Sequence, residues 1–246
     1  MAQVDMTPGN FTVVADAQAL AAAAADRLVA ATDANGGRPA ICLTGGSTPK
    51  ALYRLLGSPD YASRIPWARV HWFIGDERFV PASDPRNNMG MAREAFLDRC
   101  ASPDNIHPIP TDVPSPEDAA RLYAGELRTF YGRDRLDPAR PLFDLILMGV
   151  GPDGHTASLF PGASGLQERT KWVVGVTKAN VEPFVPRITL TPPALASSRE
   201  MLFLVSGEDK RAILSKVKAG ADLPAAQVHS NGTTTWLVDQ AAWQTA

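Results

Sequence analysis

In the stretch DLILMGVGPDGHTASLFPG, an apolar run ends in a glycine cluster, and Asp153 and His155 follow with one residue between them. Imidazole is the side chain whose ordinary titration lies nearest neutral pH, so it can take up and return a proton during a reaction. A carboxylate beside it orients the ring and raises its basicity. The pair therefore suggests general acid–base chemistry, with His155 expected at a helix start just after a buried strand. The other histidines stand apart: His71 inside a strand, His107 in a proline loop, His229 near a C-terminal strand. They read as structural or solvated.

Three more places put polar residues directly after, or at the start of, apolar runs. In LTGGSTPKALY, Gly45 and Gly46 allow a tight turn, and Ser47 or Thr48 can cap a helix that has Pro49 in its first turn. Free amides at a positive helix end make a phosphate cradle, although the glycine-to-Gly-Lys-Ser/Thr spacing of a P-loop is absent. In HWFIGDERFVP, three charges follow a strand, with Asp76 and Arg78 expected to flank a ligand while Glu77 turns away or holds the loop. Arg187 precedes a short strand, and Lys210 falls in the first turn of a helix. A cation there opposes the helix dipole unless a ligand anion is present. Each segment alone also reads as an ordinary capped turn or solvated charge.

Gly149, Gly151 and Gly154 spell G-x-G-x-x-G, but Pro161-Gly162 breaks any following helix. The next strand also ends at Thr177-Lys178, without an acid for a ribose. A dinucleotide site is not expected, and neither a metal nor another cofactor is implied.

Buried strands and helix-length segments alternate along most of the chain to position these residues. ICL, LILMGV and LFLV are apolar without alternation, as strands covered on both faces are. The expected fold is Rossmann-like α/β, doubly wound, with a mostly parallel sheet and helices on both faces, in one domain over residues 1–246. Ligands in such sheets collect at the carboxyl ends of the strands.

The composition is that of an ordinary globular chain: 246 residues, 45% hydrophobic and 20% charged, with 24 basic against 26 acidic residues. No basic stripe supports a nucleic-acid partner, and no segment suggests a leader or membrane span. The two cysteines, Cys42 and Cys100, read as reduced, buried thiols. A cytoplasmic protein is expected, as a monomer or small homo-oligomer.

Taken together, LTGGSTP, GDERFV, NNMGMAREAFL, LMGVGPDGHTASLFPG, RITLT and SGEDK resemble the 6-phosphogluconolactonases of the bacterial, glucosamine-6-phosphate-isomerase-like type. The resemblance runs in order from about residue 40 to residue 218. It implies hydrolysis of 6-phospho-D-glucono-1,5-lactone in the oxidative pentose phosphate pathway, without a metal. By position it assigns a phosphate loop to Gly45, Gly46, Ser47 and Thr48, and phosphate-binding cations to Arg187 and Lys210. Catalysis falls to His155 with Asp153, and the charged strand end to Asp76 and Arg78. The segment VTKANVEPFVPRITLT departs from the family's Lys-Pro-Pro-like turn, which removes support for a ligand role of Lys178.

Two rivals follow from the same resemblance. A glucosamine-6-phosphate deaminase would need a ring-opening acid soon after the histidine, where this chain has Leu159-Phe160-Pro161-Gly162. A non-catalytic sugar-phosphate sensor would usually append a helix-turn-helix reader, and no basic recognition helix is legible. Ser47 is not in a G-x-S-x-G elbow, so no serine nucleophile is expected.

Overall fold

The computed structural model describes residues 9–244; residues 1–8, read above as lacking a leader pattern, lie outside them. The strands are β1 (Asn10–Val14), β2 (Ala40–Leu43), β3 (His71–Ile74), β4 (Asp76–Arg78), β5 (Phe143–Met148), β6 (Val173–Val176), β7 (Arg187–Leu190), β8 (Ser198–Val205) and β9 (Thr233–Asp239). β2 and β5 are buried at every residue, which requires cover on both sheet faces. They are neighbouring interior strands of a six-stranded parallel sheet of order β1-β9-β8-β5-β2-β3. From β2 the chain steps outward to β3, whereas from β5 it steps the other way to β8 and β9. The order therefore reverses between β2 and β5, and a crevice opens above that point.

Helix formation follows the local chemistry. Asp16 caps the helix Ala17–Ala34 by accepting from the Ala19 amide at 2.8 Å, and Leu20, Ala24 and Leu28 form its buried stripe. Alanines on that face let the helix approach β9 and the helix Thr48–Leu56 closely. Ser115 caps the helix Pro116–Tyr131, which ends at left-handed Gly132. The largest buried side chains include Trp72, Trp236, Phe203 and Phe96, with Phe203 stacked on Trp236 at 4.0 Å between ring centroids. Among the described residues, no helix is long and apolar enough to cross a membrane.

Two expectations need correction. The runs WVVGV and RITL, read as strands, do not extend the parallel sheet: with DER, which read as charges after a strand, they form a separate three-stranded antiparallel sheet in the order β4-β7-β6. Cys42 is buried, but Cys100 is only half-buried; both are free thiols.

Candidate active site

Two tyrosine hydroxyls set the carboxyl ends of β2 and β3. Tyr53 Oη accepts from the Thr44 amide at 3.0 Å and donates to the Thr44 carbonyl at 2.7 Å. Tyr123 Oη does the same for the amide and carbonyl of Ile74, at 3.1 and 3.0 Å. Both rings are fully buried, so each strand ends with its last polar groups satisfied. Gly45 and Gly46 follow, with Gly46 at φ 107, a left-handed conformation that favours glycine. The expected capping by Ser47 or Thr48 does not occur: Ser47 has helical backbone angles and makes no side-chain cap. Among the described residues, the amides of Gly46, Ser47 and Thr48 take no hydrogen-bond partner. They leave a helix N-terminus with open donors.

The Asp76–Arg78 segment is a strand, not the loop its charges suggested, and it sets Arg78 opposite Arg187 in the β4–β7 register. Glu77 points inward, fully buried. It accepts from the amides of Arg78 and Asn88 on one oxygen and of Met89 on the other, at 2.7–2.9 Å. Burial pushes its carboxyl up to about 7, against the lowering pull of these amides. Asp76 accepts from Ser158 Oγ at 2.6 Å. Arg187 is only 3% exposed, yet its single direct bond is from Nη2 to the Pro183 carbonyl at 3.0 Å, and its Nε has no partner. Burial lowers its pKa, partly offset by the nearby Asp76 charge. A buried guanidinium without a hydrogen-bonded carboxylate is costly. A bound anion would remove that cost.

His155 sits in a turn, not at a helix start; Pro161-Gly162 follows too soon for a helix to form. Its Nδ1 lies 2.5 Å from Asp153 Oδ1, which also accepts the His155 backbone amide at 3.1 Å. The ring is tilted against Phe160 at 4.9 Å. With Nδ1–H donated to Asp153, the lone pair rests on Nε2. Gly154 is left-handed at φ 86, and Ala157 is the one non-glycine among the described residues with positive φ, at 48. Such a turn costs energy and is typical of built sites.

These elements meet around an open cleft of about 140 Å³ above the β2/β5 crevice. Of the residues expected at the site, Gly45, Gly46, Asp76, Arg78, His155 and Arg187 line it. Ser47, Thr48, Asp153 and Lys210 are not among its lining residues. Lys210 sits in a 3₁₀ turn and donates from Nζ to the carbonyl of Val150, itself a wall residue, at 3.2 Å. A larger groove of about 800 Å³ runs beside β6 and contains no histidine, whereas His155 lines the smaller cleft. Among the described residues, no three His, Cys, Asp or Glu side chains converge as metal ligands.

Sequence reading missed Asn88, which lines the cleft 12 residues beyond Asp76. It also missed Ser158. The signal for Asn88 was its place in NNMGM, but an asparagine at a helix start reads first as a cap. Asn87 does fill that role, accepting from Gly90 at 2.7 Å. His71 and His107 also have company that the sequence did not reveal. Their rings lie 2.9 Å apart nitrogen to nitrogen, and His107 Nδ1 is 2.6 Å from Glu126.

Residues 15–236 match the model of the family described as glucosamine-6-phosphate isomerases/6-phosphogluconolactonase. A 6-phosphogluconolactonase of Synechocystis sp. is 40% identical over 85% of this chain and 85% of its own length. One from Mycobacterium tuberculosis is 40% identical over 95% of this chain and 96% of its own. The solved structure of a 6-phosphogluconolactonase from Thermotoga maritima superimposes with a TM-score of 0.80 at 28% identity, covering 94% of this chain and 99% of that one.

Proposed function

The chain belongs to the glucosamine-6-phosphate isomerase/6-phosphogluconolactonase family, and we propose that it hydrolyses 6-phospho-D-glucono-1,5-lactone to 6-phosphogluconate with His155 as the general base. The observation that carries the catalytic part is the 2.5 Å contact between His155 Nδ1 and Asp153, on a ring that forms part of the cleft wall.

An ester carbonyl needs an activated water and a stabilised oxyanion. His155 Nε2 takes a proton from water as the oxygen attacks C1, and Asp153 stabilises the imidazolium that forms. Collapse of the tetrahedral intermediate breaks the bond from C1 to the ring oxygen, and the imidazolium returns its proton to that oxygen. Such transfer contributes about 10²–10⁴-fold. Arg78, tied through Nη1 to the Arg86 carbonyl at 2.8 Å, keeps its other donors for the oxyanion. Asp76 receives a sugar hydroxyl. The Gly45–Thr48 turn, Arg187 and Lys210 hold the phosphate, so binding energy far from C1 is used for orientation.

The deaminase alternative lacks its acid, because Leu159 and Phe160 after the histidine are buried and apolar. A single domain, cytoplasmic and acting alone or as a small homo-oligomer, is the expected working form. The test is hydrolysis of freshly prepared lactone coupled to NADP-dependent 6-phosphogluconate dehydrogenase, corrected for spontaneous opening. A rate proportional to protein supports the reading. A background rate, with ammonia released from glucosamine 6-phosphate, would replace it with the deaminase.

A further inference from the structure

We infer that Asn88 is a specificity-determining residue, whose side-chain oxygen accepts a hydrogen bond from one ring hydroxyl of the sugar. The inference rests on the lactonase reading above.

Three contacts fix this side chain before any ligand arrives. Its backbone amide is held by Glu77 Oε1 at 2.7 Å. Its Nδ2 donates to the Asp76 carbonyl at 3.0 Å, and because a carbonyl can only accept, that contact determines which end of the amide is nitrogen. The remaining end, Oδ1, lies against Gly45: a Cβ built at that position would be 2.0 Å from it. Asn88 is 2% exposed, yet it lines the cleft, and among the described residues Oδ1 accepts no hydrogen bond.

The chemistry of the neighbours defines what Oδ1 would meet. Arg78, Arg187, and the open amides of Gly46 to Thr48 are donors suited to phosphate and oxyanion oxygens. Acceptors are scarce: one Asp76 oxygen is already committed to Ser158. A sugar lactone brings hydroxyl groups, which need acceptors once they leave water. A neutral, immobile carbonyl oxygen beside Gly45 meets that need without adding charge next to the phosphate. A site that pairs a hydroxyl rejects the analogue lacking it, since its own polar group is then left unpaired.

The test compares kcat/KM for 6-phosphogluconolactone with that for its 2-, 3- and 4-deoxy analogues, in wild type and in Asn88→Ala. The wild type is expected to disfavour one deoxy lactone by about 10-fold or more. Asn88→Ala is expected to lose that preference while retaining the others. Asn88→Ser, which keeps an oxygen but shortens the reach, serves as a second variant if alanine fails to fold. An equal fall on all four lactones, or an unchanged pattern, would overturn the inference. Failure of the wild type to hydrolyse the parent lactone would instead overturn the functional reading on which it rests.

Discussion

The imidazole of His155 occupies the space that a side chain at residue 151 would need: a Cβ on Gly151 would lie 2.0 Å from its Cε1 and 2.1 Å from Nδ1. The Gly151 amide also donates to the His155 carbonyl at 2.8 Å, which closes the turn. The second glycine of the G-x-G-x-x-G pattern thus makes room for the histidine ring.

Gly151 has no positive φ, so alanine there strains no backbone and acts only by displacing the ring. Gly151→Ala is expected to lower kcat about 100-fold, with a much smaller change in KM, because misplacing a catalytic group by about 1 Å costs that much. Steady-state kinetics beside a thermal melt check it. Normal kcat in a folded Gly151→Ala protein would contradict the placement of the base.

Tyr53→Phe deletes one oxygen and leaves the Thr44 amide and carbonyl without their partner. Both groups are buried, so the loss is expected to be roughly 1–3 kcal/mol by denaturant unfolding. The turn proposed to bind phosphate begins at the next residue, and KM is expected to rise as well. An unchanged unfolding midpoint would show that water replaces the hydroxyl.

Arg187 is held buried without a hydrogen-bonded carboxylate, a state that costs stability unless an anion binds. Arg187→Met keeps the volume and removes the charge, so the fold is expected to be unharmed or stabilised. KM should rise about 100-fold, and 6-phosphogluconate, expected to raise the melting temperature of the wild type, should no longer do so. A destabilised variant with normal KM would assign the arginine to structure alone.

The His71–His107–Glu126 chain predicts a pH effect on stability. Burial, then the neighbouring His107 and Arg38, lower the His71 pKa from 6.5 to about 4. The unfolded chain therefore binds a proton at this site between pH 6.5 and 4 that the folded protein does not. Stability from this group is complete above about 6.5 and falls as the pH drops through that window. His71→Phe should flatten the dependence between pH 7 and 5 in urea unfolding. Parallel slopes for the two proteins would exclude His71 as the cause.

Much of the site was legible because its residues follow strands with no polar face. The runs ICL, LILM and LFLV announce a doubly wound sheet; Gly45 and Asp76 come within two residues of such runs, and His155 and Lys210 in the turns that follow them. The antiparallel β4-β7-β6 sheet was not legible. Strands of three or four residues carry too little periodicity, and DER looks like a solvated loop until Arg187 is seen across from Arg78. Asn88 and Ser158 were missed for a related reason. Their roles depend on Asp76, 12 and 82 residues away, and such distances leave no pattern in one sequence. Ser47 misled in the opposite direction: its type suits a helix cap, but its backbone is already helical there.

The most direct measurement is the coupled lactonase assay on His155→Asn, with 6-phosphogluconate binding measured by calorimetry on the same sample. Asparagine retains a polar group near Asp153 but has no nitrogen lone pair to take a proton. The expected result is a loss of about 10²–10⁴-fold in kcat with product affinity nearly intact. Wild-type turnover in this variant would contradict the assignment of His155 as the base.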